Sequence, residues 1–159
     1  MKIWVDADAC PGVVRDIVIV AAIKRKVAVG FVANKQLTLP PSPLVGFDLV
    51  DASPDAADRF IVEKARPGDL AITQDIPLAH QLVTKGVATI SPRGVTFDHN
   101  NIGERLSVRD LMQDLRDSGE VTGGPKQYGE KEKRAFAAAF DRALTRLLVL
   151  AKRQTSQEG

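Results

Sequence analysis

The residues best equipped for chemistry are aspartates, and two of them stand almost side by side. The chain opens MKIWVDADACPG, which places Asp6 and Asp8 at the close of an apolar run. Side chains two apart on a strand point to the same face, so like charges would be held close together. Such neighbours raise each other's pKa and oppose folding unless a cation or a proton relieves them. Further along, ITQD ends on Asp75, with Thr73 before it, and SPDAADRFIV carries Asp55 and Asp58. Asp58 shares a helical stripe with Ile61, Val62 and Ala65, an inward position where a carboxylate needs a reason to be. Asp55, one turn earlier, is the fallback for the same role. Taken singly, Asp8 and Asp75 fit helix caps and Asp58 fits a helix N-terminus. Taken together, Asp6, Asp8, Asp58 and Asp75 read as ligands of a shared cation. His80, His99 and the single Cys10 cannot build an ordinary zinc site. Carboxylates select a hard ion, so the expected cofactor is Mg2+ or Mn2+.

The elements that must position these acids follow from hydrophobic period and punctuation. KIWVD, VAVGFVA, FDLVDA, DLAITQD and VATIS read as strands. Between them, PGVVRDIVIVAAIKRK reads as a helix opened by Pro11, although its Val and Ile favour strand. SPDAADRFIVEKARPG reads as a helix with Ser53 as N-cap and Pro54 at its first position, and IPLAHQLVTKG as one closed by Gly86. NKQLTLPPSPLVG is a loop, because three prolines forbid a regular element. SPRGVTFDHNNIGERL reads as irregular or briefly extended, and SVRDLMQDLRDSG as a helix capped by Ser107. GGPKQYG is a glycine-rich loop, and EKEKRAFAAAFDRALTRLLVLAKRQ is the longest helix, with Phe136, Phe140, Leu144, Leu147 and Leu148 on one stripe. Strands alternating with helices define an α/β fold with a mainly parallel sheet of about five strands flanked by helices. In such sheets ligands bind outside the carboxyl ends of the strands, where Asp6, Asp8 and Asp75 fall. Asp69 sits at the other edge and reads as a turn residue.

Composition sets the remaining bounds. The chain of 159 residues is 44% hydrophobic and 26% charged, ordinary globular material. One domain is expected over residues 1–152, with 153–159 a disordered tail. No apolar run approaches the roughly 18 residues of a membrane span, and no signal peptide is read before the first strand. A lone cysteine agrees with a reducing cytoplasm. Net charge is only +2, but residues 126–153 hold eight basic against three acidic side chains. A basic surface beside an acidic centre suits a phosphate-rich polymer, and a solvated helix face is the plainer alternative.

The combination VDADACP, VAN, SPDAADRFIV, GDLAITQDIPLA, NNIGERL and the late GGP resembles the YaiI/YqxD family of uncharacterised bacterial proteins, which is similar to PIN domains. The resemblance runs from Met1 to about Leu150. It implies a three-layer PIN-like fold and a Mg2+- or Mn2+-dependent nuclease that hydrolyses phosphodiesters of single-stranded nucleic acid, RNA more than DNA. Asp6 then matches the acid ending the first strand, Asp58 the helix acid, and Asp75 with Thr73 the PIN-like T-x-D turn. Asp8 has no general PIN counterpart, and Arg93 stands where PIN proteins often place a further acid. Asn34, Lys35, Arg93 and Lys126 are the expected phosphate contacts around the mouth, and a homodimer is the expected assembly if there is one. Asp6-Ala7-Asp8 also resembles the first motif of haloacid-dehalogenase-type phosphatases, in which Asp6 would be the nucleophile and Thr73 and Lys85 would serve later motifs. A third reading is a non-catalytic PIN-like module that binds nucleic acid or protein.

Overall fold

The apolar run at the start of the chain becomes the middle of a sheet. In the computed structural model, which describes residues 1–120 and 127–158, the strands are β1 (Lys2–Asp6), β2 (Ala28–Ala33), β3 (Val45–Leu49), β4 (Leu70–Ile72), β5 (Ala88–Ile90) and β6 (Thr96–Phe97). They form one sheet in the order β3-β2-β1-β4-β5-β6. The first five are parallel, and β6 is antiparallel to β5. The sixth strand exceeds the sequence expectation. It arises because Ser91 Oγ accepts from the amides of Arg93 and Val95, at 3.2 and 3.1 Å, and folds the chain back beside β5.

Helices cover both faces, so the central strands are buried runs rather than alternating ones. Ile3 and Val5 face α1 (Gly12–Arg25) and α5 (Glu130–Glu158), packing with Val14, Val18, Phe136 and Phe140. Trp4 faces the other way, toward Ile61 of α2 (Ala56–Lys64) and Leu78 and Leu82 of α3 (Ile76–Lys85). α4 (Ile102–Asp117) lies outside this second layer, where Ile102 packs with Ala79 and Val83 of α3 and with Phe97. The result is an α/β three-layer sandwich. Among the described residues no helix is long and apolar enough to cross a membrane.

Packing overrides local preference in α1. Val14, Val18 and Ala22 are fully buried at helical spacing, and burying each valine contributes about 1.5–3 kcal/mol, more than β-branching costs a helix. The stacked rings of Phe136 and Phe140, 5.4 Å apart, tie α5 to the same core.

Several element ends differ from the expectation. α2 starts at Ala56, not at Pro54: Ser53 turns its amide and hydroxyl back onto Asp51 Oδ1, and Asp55 takes the N-cap position with φ of 70°. α4 starts at Ile102, five residues before Ser107, which lies inside the helix and donates to Gly103 O. The reason is a reciprocal turn: Asp98 Oδ1 accepts from the amides of Asn100 and Asn101, while Asn101 Oδ1 accepts from the amide of Asp98. β3 begins at Val45, ahead of the expected Phe47, because Val45 pairs with Val29 directly after the proline loop. The C-terminal end is helical to Glu158 where a disordered tail was expected. No Gly or Pro interrupts Arg153–Glu158, and Arg, Gln and Glu are good helix formers.

Candidate active site

The order β3-β2-β1-β4-β5 makes the chain wind outward from β1 and then return on its other side. The loops leaving β1 and β4 therefore part at their carboxyl ends and open a crevice. A cleft of about 530 Å³ lies there, and Asp6, Asp8, Asp58 and Asp75 all line it. Asp51 and Asp55, from the loop before α2, add acids at its rim.

Each acid is placed by a local device. The β1–β4 register pairs Val5 with Ile72, so Asp6 and Thr73 are adjacent across the strand boundary. Thr73 is buried; its hydroxyl donates to Asp6 Oδ2 at 2.8 Å and accepts from the Asp75 amide at 3.0 Å. Asp75 is the N-cap of α3, its Oδ1 accepting from the Leu78 amide at 3.0 Å. Asp58 sits in the first turn of α2, half-buried. Asp8 follows in the 3-10 turn Ala7–Ala9, where its Oδ2 accepts from the Asn34 amide at 2.9 Å. Its Oδ1 is buried with no hydrogen-bond partner among the described residues. The capping role suggested for Asp75 is real, whereas Asp8 ties β2's exit loop instead of capping α1.

The electrostatics are unfavourable for an empty cleft. Burial pushes the Asp6 carboxyl above its ordinary value, the Thr73 hydrogen bond opposes this, and Asp75 and Asp8 add to the rise. Asp58 is pushed up from 3.8 to about 6 by burial first, then by Asp75, Asp6 and Asp55. Like charges thus gather where the donors among the described residues do not fully offset them.

Whether a cation fits can be judged from the donors. Among the described residues no three acidic, histidine or cysteine side chains close into a ready-made ligand group. The acids share one cleft without forming a tight cage, which is looser than the expectation of directly shared coordination. That arrangement suits Mg2+ or Mn2+, since a hard ion of this size keeps several waters and takes only one or two carboxylates. The unpartnered Asp8 Oδ1 is an oxygen for which the described residues supply no donor. Asp6, Asp8, Asp58 and Asp75 are the residues that could hold the ion.

The expected phosphate contacts divide. Asn34 lines the cleft, while Lys35, exposed on the next position, does not. Arg93 turns toward the start of α5, 3.7 Å from Glu132 and over the Tyr128 ring. Lys126, with the GGP motif, lies outside the described residues. Lys85 donates to the Val62 and Glu63 carbonyls at the far end of α3 and cannot serve a phosphatase site built on Asp6. Cys10 packs against the core with its thiol pushed up to about 12 by burial, which makes it a poor nucleophile.

Sequence reasoning missed the opposite wall. Arg109, Gln113 and Arg116 of α4 also line the cleft. Their spacing of four and three residues puts them on one helical stripe, a signal present in VRDLMQDLR but masked by an amphipathic pattern that ranked only its apolar face. Of the basic stretch at the chain's end, Arg146 lies elsewhere: with Leu150 and Gln154 of α5 it lines a groove with Met1 and Asp69, at the amino edge of the sheet.

The fold and site together define an α/β protein with an acidic cleft at the switch point of a parallel sheet. The chain belongs to the YaiI/YqxD family, whose model, described as "Uncharacterized BCR, YaiI/YqxD family", matches residues 4–146. It is 56% identical over 148 residues to a UPF0178 protein of Myxococcus xanthus, covering 93% of this chain and 97% of that one. A UPF0178 protein of Stutzerimonas stutzeri is 52% identical over 147 residues, 92% of this chain and 97% of the relative. One of Pseudomonas aeruginosa strain LESB58 is 49% identical over 157 residues, 99% and 98% of the two chains. No solved structure matches the chain.

Proposed function

We propose that the protein is a divalent-metal-dependent phosphodiester hydrolase acting on single-stranded nucleic acid, RNA more than DNA. The observation that supports this reading is that Asp6, Asp8, Asp58 and Asp75 line one cleft, where the carboxyls of Asp6 and Asp58 are raised by burial and neighbouring acids and one oxygen of Asp8 has no donor among the described residues. Clustered carboxylates held at a crevice floor lower stability unless a ligand rewards them. A bound Mg2+ or Mn2+ would supply Lewis acidity toward the phosphoryl group and acidify bound water.

The protein's own residues do the rest. Thr73 fixes Asp6 in one orientation through its hydroxyl and ties it to the Asp75 amide, so the two acids hold a constant relation. Asp75 is rigid because it caps α3. Asp58, its carboxyl raised to about 6 in the metal-free protein by burial and by Asp75, Asp6 and Asp55, would take a proton from the attacking water, leaving Asp6, Asp8 and Asp75 to hold the ion. The water oxygen adds at phosphorus as the P–O ester bond breaks, and the departing oxygen takes up a proton from solvent or from the one Asp58 accepted, giving a phosphate monoester and a free hydroxyl.

The test is cleavage of a labelled single-stranded oligoribonucleotide with Mn2+ and with EDTA. Cleavage that requires the metal and disappears in both Asp6→Asn and Asp75→Asn supports the reading. A phosphoryl group trapped on Asp6 with a phosphate-ester substrate would replace it with the phosphatase mechanism. Strand binding without cleavage under any divalent ion would replace it with the non-catalytic module.

A further inference from the structure

Side chains of opposite charge line the cleft: Asp6, Asp8, Asp58 and Asp75 from the sheet edge and α2, and Arg109 and Arg116 from α4. Among the described residues neither arginine forms an ion pair with a cleft acid. Had α4 served only to neutralise the acids, its guanidinium groups would reach them. Instead Arg109 takes its exposed neighbour Asp110 at 3.1 Å, an arrangement worth little and easily exchanged. Arg116 is held in place: it donates to Gln113 Oε1 at 3.1 Å, and Gln113 donates in turn to Asp117 Oδ1 at 3.0 Å. The guanidinium retains further donors, arranged in a fork that matches phosphate oxygens.

We infer that α4 is the substrate-gripping helix, with Arg109 and Arg116 binding backbone phosphates about three nucleotides apart on a single nucleic-acid strand laid along the cleft. This rests on the hydrolase reading only for where the cleaved bond lies. The two arginines are seven residues apart in sequence, about 10 Å along a helix axis, the length of about three stacked nucleotides. A mononucleotide or small phosphate ester could meet one arginine but not both. Asp6, at the floor, is only 8% exposed, so the bond to be cut must sink into the cleft. A strand can do this, whereas a duplex, with both backbones held on a rigid cylinder, cannot. Among the described residues no aromatic side chain lines the cleft, so the grip is on phosphate rather than on stacked bases.

The experiment measures binding of a fluorescent single-stranded oligoribonucleotide to the full chain by anisotropy, in EDTA, across a salt series. The wild type is compared with Arg109→Gln/Arg116→Gln and with Arg146→Gln/Lys152→Gln, which removes the same charge from exposed positions on α5. The α4 double variant should bind at least about tenfold more weakly for each lost guanidinium contact. Its plot of log K against log salt should be shallower by about 1.4, two phosphate contacts on a single strand. The α5 variant should match the wild type, and circular dichroism should show all three folded. Equal weakening in the α5 variant, an unchanged salt slope in the α4 variant, or no strand binding by the wild type would overturn the inference. So would competition by a nucleoside monophosphate or a duplex as effective as that by the strand. Binding that depends on α4 in a protein that never cleaves would keep this inference and remove the hydrolase reading.

Discussion

Replacing Asp58 by an asparagine should make the metal-free protein more stable, and only where Asp58 is ionised. The carboxyl rises from 3.8 to about 6 because burial and the charges of Asp75, Asp6 and Asp55 oppose its ionised form. At about 1.4 kcal/mol per pH unit that rise would correspond to about 3 kcal/mol. The side chain is half-buried, so solvent screening reduces this to about 1 kcal/mol. For a chain of this size, about 1 kcal/mol shifts Tm by about 2–4 °C. The pH dependence has a fixed sign. Between pH 3.8 and about 6 the folded state holds the Asp58 proton while the unfolded state has released it. Stability of the wild type therefore falls as pH rises through that window. The neutral amide of the variant carries no such charge, so its advantage should be full above about pH 6 and shrink toward about pH 4. Thermal melts of both proteins in EDTA, at a series of pH values, measure the difference directly. An Asp58→Asn variant no more stable than the wild type at about pH 7.5, or equally favoured at about pH 4 and 7.5, would refute the electrostatic argument.

Two further substitutions test how the cleft is built. Thr73→Val keeps the shape but strips Asp6 of its donor and leaves the Asp75 amide unsatisfied; it should cost about 1–3 kcal/mol in urea unfolding and abolish Mn2+-dependent cleavage. Gly94→Ala puts a methyl group 2.6 Å from the Ala135 backbone at a residue with φ of 87°, so it should destabilise by more than about 2 kcal/mol by prying the β5–β6 turn from α5. A melting point for that variant within a degree of the wild type would mean that this turn and helix separate readily.

The layered α/β fold and the edge that carries the site were legible because long-range pattern decided them. Buried strand runs and helix periods fixed the alternation, and every strand followed by a crossover helix had to deliver its carboxyl end to the same side. Element ends were less legible, since they depend on competition among nearby donors. Ser53 had the residue type of a cap, but Asp51 captured its hydroxyl. Ser107 had it too, but the Asp98–Asn101 turn had already started the helix. The placement of α4 across the cleft could not be read at all. Its one fully buried residue is Ile102, packed against α3 and Phe97, while Leu106, Met112, Gln113 and Leu115 are half-buried and Arg105 lies over the Phe97 ring. With one fully buried residue, its sequence carries no apolar pattern that says which element it will lie against.

What separates a structural aspartate from one available for chemistry in this protein is the number of donors aimed at it. Asp69 and Asp75 are the same residue type at opposite ends of one short segment, DLAITQD. Asp69 accepts from the Lys2 amide, the Arg66 amide and the Trp4 indole, at 3.0, 3.0 and 3.1 Å. Three donors hold its charge and staple β1 to β4 at the amino edge, which leaves nothing for a ligand to do. Among the described residues the donors at the carboxyl edge are few: Thr73 for Asp6, Leu78 for Asp75, and nothing for one oxygen of Asp8. The unmet acceptor capacity at that edge is the chemical property a hydrated cation would complete. Arginines paired to the acids would satisfy those oxygens; Arg109 and Arg116 line the cleft without pairing to them, which on the reading proposed above would leave room for a cation and for a strand.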